Sequence, residues 1–401
     1  MKACRHFCKS ASRVGWFEYR WKQGVVHPKS NTMNRRELLS AAALTCVGVN
    51  GGVAQAQTST GLDALARTSG RRFGFAVSSS YADKEPVKSL LRQHAGVVTA
   101  ENAMKWRSIE NLFGVPDYTQ ADRVAAIAVD LSAQLRGHTL AWHQSTPARL
   151  TWATTEVFVR EQTSHLQALV SRYRGHIHTW DVLNEVIDAD QPTGMRESVL
   201  SKLWGADRYP ALFELARVAD PYAKLAYNDF GLEQDEPWCE RRRTALLRML
   251  ERWVKRGTPI DVMGLQAHLN MSRKFSADKL LRFFDELRAM GLTLQITELD
   301  VSEAQLQGDV AARDAAIAAL YRDFTQACLS HPAVEMIVMW NVTDDNSWIN
   351  RWLQAQRRVD GQPQRPTLFD ASGQAKPAFH AVAACMGNAA TKFDMKETRH
   401  V

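Results

Sequence analysis

Two glutamates stand at places where carboxyl chemistry would be useful. Glu185 ends the run Thr179–Glu185, and Glu298 lies near the end of Thr293–Asp300. Both runs are short, apolar and β-rich, with their polar groups gathered at the C-terminal end. Two carboxyl groups facing each other across a bond can divide the work. One protonates the leaving group, while the other attacks as nucleophile or activates water, and hydrolysis of a glycosidic bond needs that pairing. Glu298 and Asp300 are two residues apart, so a strand turns them to one face; Gln266 and His268 share that spacing. A His268 imidazole held by Asp300 would hydrogen-bond Glu298 and keep it ionised. Glu185 has to stay protonated to act as an acid, which burial and a nearby carboxylate favour. A single glutamate at a strand end is more often a cap or an ion-pair partner. The reading therefore rests on several strand ends taken together.

Eight runs are candidates for the elements that hold these groups: Phe73–Val77, Val97–Asn102, Gly137–Trp142, Thr179–Glu185, Lys224–Asn228, Val262–His268, Thr293–Asp300 and Met336–Asp344. Helical periodicity appears between them, as in Ala121–Gln134, Val157–Tyr173, Arg241–Arg256, Ala277–Met290 and Ala311–Cys328. Strands alternating with helices predict an α/β fold, a parallel (β/α)8 TIM barrel forming a single catalytic domain. A doubly wound sheet is the alternative, but no Gly-rich phosphate loop follows the first strand. Seven of the eight runs finish in polar or aromatic groups, and barrel enzymes build their sites at those C-terminal ends. Trp142, Trp340 and Trp348 lie at or beside such ends. Like Trp106 they are equally suited to a core, but aromatic faces also stack on sugar rings.

The net charge of +7 comes entirely from residues 1–56, which hold nine basic and two acidic side chains. The remainder is formally neutral, so no nucleic-acid partner is implied. Asn34-Arg35-Arg36, the apolar run Leu38 to Val49 and Ala54-Gln55-Ala56 read as an export leader of the twin-arginine or general secretory kind. Met33 is the expected start, with cleavage after Ala56. The apolar run is too short to span ~30 Å of hydrocarbon, so no membrane attachment is expected after cleavage. Residues 57–385 show no linker or composition break and read as one domain, followed by a mobile tail at 386–401. Cys239, Cys328 and Cys385 remain beyond the leader, enough for one disulfide and one free thiol or for none. No CxxC pair or Cys/His cluster suggests zinc. His176 and His178 precede the fourth run, on the wrong rim for a site. His138, His143 and His268 lack a completing Lys, Cys or acidic group, so metal ligands are expected to be absent.

Six segments, in order, resemble family 10 glycoside hydrolases, the endo-β-1,4-xylanases: Thr99–Trp106, Arg136–His143, Trp180–Glu185, Ile296–Asp300, Trp340–Trp348 and Lys376–Phe379. The resemblance implies Glu185 as acid/base and Glu298 as nucleophile. It implies Lys105, His138, Trp142, Asn184, Gln266 and His268 around the sugar under attack. Glu101 and Asn102 would bind the next sugar toward the non-reducing end, Trp340 and Trp348 would wall the cleft, and Asp300 would support His268. The implied substrate is xylan, cut internally with retention, without a cofactor, by an exported periplasmic or extracellular monomer. Three residues depart from the pattern. Ser145 stands where a glutamine is usual, with Gln144 displaced by one place; Asn341 replaces a glycine; Gly231 replaces a common asparagine. A rearranged second sugar site and a crowded cleft wall are the expected consequences. Competing readings are a related β-1,4-glucanase or aryl-cellobiosidase, an inactive polysaccharide-binding barrel and a metal-dependent hydrolase. The intact glutamate pair counts against the binding barrel.

Overall fold

Nine parallel strands are present among the described residues, and eight of them close on themselves. The computed structural model describes residues 60–110, 113–352 and 357–397, with side chains as far as Ala389. The expected leader at 1–56 lies outside the described residues. In chain order the strands are β1 (Arg72–Val77), β2 (Val97–Ala100), β3 (Gln134–Trp142), β4 (Ile177–Asn184), β5 (Lys224–Asp229), β6 (Val262–Leu265), β7 (His268–Asn270), β8 (Thr293–Ser302) and β9 (Val334–Trp340). Neighbours follow the chain from β1 to β6, then β8 and β9, and β9 pairs back on β1 with Phe75 opposite Met339. This is the eight-stranded (β/α)8 barrel that the alternation predicts. Its closure excludes the open doubly wound sheet.

The strands are apolar on both faces because helices cover one side and the barrel interior the other. Phe73, Phe75, Ala76 and Val77 of β1 are all buried. The helix Ala277–Ala289 shows how the outer layer attaches. Ser276 caps it by accepting from the Lys279 N–H at 3.4 Å, and Leu280, Phe283, Phe284 and Leu287 form its buried stripe. Four such side chains contribute about 1.5–3 kcal/mol each in apolar burial. Phe284→Ala would empty the middle of the stripe and cost about 3–5 kcal/mol.

The lower barrel interior is polar. Arg136 on β3 forms a two-pronged ion pair with Asp181 on β4 and donates from Nε to Gln295 of β8 at 2.9 Å. Gln295 in turn donates to Thr179 and Glu335 at 3.0 and 2.7 Å. Every member is paired, as a buried polar network must be.

Three expectations change. The sixth run is not one strand: after Leu265 the backbone turns at Ala267, whose φ is +59°, and resumes as β7 beside β8. The buried Glu233 carboxylate accepts the Ala267 N–H at 2.8 Å and holds the kink. The second and eighth runs stop early, at Ala100 and Trp340, leaving Glu101-Asn102 and Asn341 to Asp344 in loops. The last helix runs Pro377–Glu397, beyond the expected domain end at 385, and Met386 is buried. Cys239, Cys328 and Cys385 are all free thiols, so no disulfide forms among them. The Lys376 segment has a structural place: its ammonium holds both Asp344 oxygens at 2.8 and 3.0 Å, tying the loop after β9 to the final helix.

Candidate active site

Glu298 and Asp300 alternate on β8 and meet the same imidazole. His268 Nδ1 lies 2.9 Å from Asp300 Oδ1, and its Nε2 lies 3.2 Å from Glu298 Oε2. Trp348 donates its indole N–H to the other Asp300 oxygen at 2.6 Å. Burial alone would favour a neutral imidazole, but Asp300 and Glu298 outweigh it and raise His268 to about 10. Glu298 moves the other way. Burial would raise it, yet the His268 donor, with His138 and the Lys105 ammonium adding to it, holds it at about 2. Burial also pushes Asp300 up, against the pull of His268 and the Trp348 N–H. The outcome is an ionised Glu298 beside a protonated His268.

Glu185 sits just past the end of β4, where the chain turns left-handed with φ +58°. That conformation costs a non-glycine residue about 1–2 kcal/mol, and the Glu185 N–H, bonded to the Asn228 carbonyl at 2.9 Å, helps to hold it. Trp142 Nε1 donates to one carboxyl oxygen at 2.8 Å and Gln266 Nε2 to the other at 2.9 Å. Both donors are neutral, whereas Glu298 faces a cation. Asn184 and Asn228 join the two halves. Asn228 Nδ2 donates to Asn184 Oδ1 at 2.9 Å and to Glu298 Oε1 at 2.7 Å, and Asn184 Oδ1 also accepts from Gln266 at 3.4 Å.

One end of the cleft lies beyond β2. Lys105 Nζ donates to Asn102 Oδ1 at 2.9 Å and stands 4.7 Å from the Trp142 ring and 5.8 Å from that of Trp340. Burial lowers the Lys105 ammonium, opposed by Glu298, Glu101 and Glu185. Glu101 is buried and accepts from the Tyr81 hydroxyl at 3.0 Å. His138 binds Asp181 through Nδ1 at 2.8 Å, with its ring edge-on to Trp340 at 5.4 Å. All the anticipated groups except Glu101 and Asn102 line one cleft of about 390 Å³ or, for Asp300, its floor. A larger hollow of about 670 Å³ between Thr244, Leu247 and Met290 lies among the outer helices and holds no strand-end group. Trp106 belongs to the core, stacked on His165 at 4.7 Å.

Of the departures, Asn341 resolves differently from expectation. Asn341 does not crowd the cleft wall. It is fully buried with φ +80°, donates to the Tyr81 hydroxyl at 3.0 Å and accepts the Trp348 N–H at 2.9 Å. Asparagine is among the few residues that tolerate that backbone. Ser145 turns inward, its hydroxyl 3.3 Å from the Arg107 N–H, while Gln144 lines the cleft. Reading the chain residue by residue missed Asn228 as a bridge and Tyr81 and Asn341 as supports. The signal for Asn228 was present in the register, since it pairs opposite Asn184.

The family model of glycosyl hydrolase family 10 matches residues 61–385. The chain belongs to that family. Endo-1,4-beta-xylanase 3 of Hypocrea jecorina is 31% identical over 328 residues, covering 81% of this chain and 86% of the relative. Endo-1,4-beta-xylanase A of Caldicellulosiruptor saccharolyticus is 28% identical, with 79% and 94% covered. Xylanase 10B of Thermotoga petrophila RKU-1, solved in complex with xylobiose, superposes with a TM-score of 0.75 at 26% identity, covering 82% of this chain and 98% of that one. This family 10 chain is therefore a glycoside hydrolase on a (β/α)8 barrel.

Proposed function

We propose that this protein is an endo-1,4-β-xylanase that cleaves internal bonds of xylan with net retention, using Glu298 as nucleophile and Glu185 as acid/base. The observation that carries the reading is the unequal treatment of the two glutamates. Glu298 is held ionised against a protonated His268, while Glu185 accepts only neutral N–H donors. In the first step a Glu298 oxygen bonds to the anomeric carbon, the glycosidic bond breaks, and Glu185 gives its proton to the departing oxygen. In the second, the Glu185 carboxylate takes a proton from water, the water oxygen bonds to the same carbon, and Glu298 leaves. Neither step calls for a metal or an organic cofactor. Lys105, His138, Asn184, Gln266 and Trp142 surround the sugar under attack, with Glu101 and Asn102 holding the next one toward the non-reducing end. Trp340 and Trp348 wall the site.

The leader supports export of the protein to the periplasm or medium, with a mature start near Gln57. Mass spectrometry of the exported protein would contradict this by finding an intact Met1 start. The substrate is tested by reducing-sugar release from xylan and from carboxymethyl-cellulose, measured side by side. Release from xylan with little from the cellulose is expected, and equal rates, or faster cellulose cleavage, would overturn the reading.

A further inference from the structure

Glu101 and Asn102 follow β2, and four strands further round the barrel lies β6. The loops after β5, β6 and β7 therefore form the far end of the cleft, opposite those two residues and beyond the glutamate pair. That end is lined by Phe230, Gly231, Trp238, Asn270 and Arg273. On the functional reading above, on which this inference rests, it receives the sugars of the leaving group.

Gly231 and Trp238 are matched to each other there. Gly231 has φ +69°, and a Cβ built on it would come within 2.2 Å of Cζ3 and 2.4 Å of Cη2 of the Trp238 ring. The indole thus occupies the space into which a side chain at 231 would point. Trp238 enters the helix Pro237–Lys255 in its first turn and is half-buried, and the Arg273 guanidinium covers its ring at 4.8 Å. The loop carrying Arg273 is fixed to the segment that leads into the helix of Trp238. Gln234 accepts the Asn270 N–H at 2.9 Å and donates to the carbonyls of Asn270 and Arg273 at 2.9 and 3.3 Å, while the Asp235 N–H bonds the Lys274 carbonyl at 2.8 Å. A half-buried aromatic ring lining the cleft is suited to the C–H face of a sugar ring, because it offers contact area at little entropic cost.

We propose that Trp238 is a specificity-determining residue for the leaving-group half of the substrate, and that Gly231 is what admits its ring to the cleft. The sugar class is a β-1,4-linked pyranose stacked on the indole, beyond the bond that breaks.

The test compares two substrates that differ on that side. Xylohexaose offers several sugars as leaving group, and β-xylobiosyl fluoride offers a single atom. Trp238→Ala is expected to lower the ratio of kcat/KM for the hexaose over the fluoride by about tenfold, with Trp238→Phe retaining most of it. Gly231→Asn should push the ring aside and lower the same ratio, and adding Trp238→Ala to it should cost little more, since one contact cannot be lost twice. An unchanged ratio in Trp238→Ala, with the unmodified enzyme active on both substrates, would overturn the role of Trp238 alone. An unmodified enzyme inactive on both would overturn the functional reading and this inference with it.

Discussion

Asp181 and Asp300 are both fully buried, and each holds a histidine through Nδ1, His138 at 2.8 Å and His268 at 2.9 Å. The geometry is nearly the same and the electrostatics are not. Asp181 is also gripped by both guanidinium nitrogens of Arg136, so its charge is compensated within the barrel floor. Asp300 has only the neutral Trp348 N–H besides its histidine. Its charge is left to protonate His268, and the imidazolium, with His138 and Lys105 adding to it, holds Glu298 at about 2. The same Asp–His pair is tied to a guanidinium in one place and, in the other, orients the histidine that touches Glu298, while both histidines act to lower Glu298.

The contrast can be broken from either side. Glu298→Ala removes the group that the upper pair serves. Hydrolysis should fall roughly 10⁴-fold or more, above about 5 kcal/mol on the barrier, with circular dichroism showing an intact fold. Asp181→Asn attacks the lower pair and should act on stability. It leaves the buried Arg136 charge uncompensated, and urea unfolding should record a loss of about 3–5 kcal/mol. Asp300→Asn should instead act on turnover, lowering kcat roughly 10²-fold, about 2.7 kcal/mol on the barrier. Its pH signature follows from the two shifts. Glu298 lies below its ordinary 4.5, so it contributes stability that is complete above about pH 4.5 and lost as pH falls through about 2. His268 lies above its ordinary 6.5, so its contribution is complete below about pH 6.5 and lost as pH rises through about 10. In Asp300→Asn the imidazole should release its proton at lower pH, seen by NMR titration, and the alkaline decline in melting temperature should begin earlier. An unchanged His268 titration would break the contrast between the two aspartates. The smallest expected effect is none. No group of three or more His, Cys, Asp or Glu side chains among the described residues is arranged to hold a metal ion, so chelator treatment should leave xylan cleavage unchanged, measured as reducing sugar.

What could be read from the chain was what depends on local spacing. Glu298 and Asp300 two apart on a strand, with His268 beside them, were enough to anticipate the upper pair, and polar residues at successive strand ends located the cleft. The lower pair was not legible in this way. Arg136 and Asp181 meet only because β3 and β4 pair in one register, with His138 opposite Asp181. Asn228 reaches Glu298 for the same kind of reason. Tyr81 and Asn341 are 260 positions apart and touch because β1 and β9 close the barrel. The kink at Ala267 had no sign in its residue type, since alanine does not favour a left-handed backbone; it is imposed by Glu233 from another loop. The last helix outran its apolar pattern because packing against Val310–Ser330, not periodicity, supports it.

The central claim is that Glu298, kept ionised by His268, attacks the sugar directly while Glu185 handles the proton. Two displacements at one carbon restore the starting configuration, whereas a single displacement by water inverts it. Proton NMR of the first products released from xylo-oligosaccharide by the unmodified enzyme reads this outcome before mutarotation blurs it. The account predicts that the β anomer appears first and the α anomer only later, at the rate of spontaneous mutarotation. Early appearance of the α anomer would contradict both role assignments.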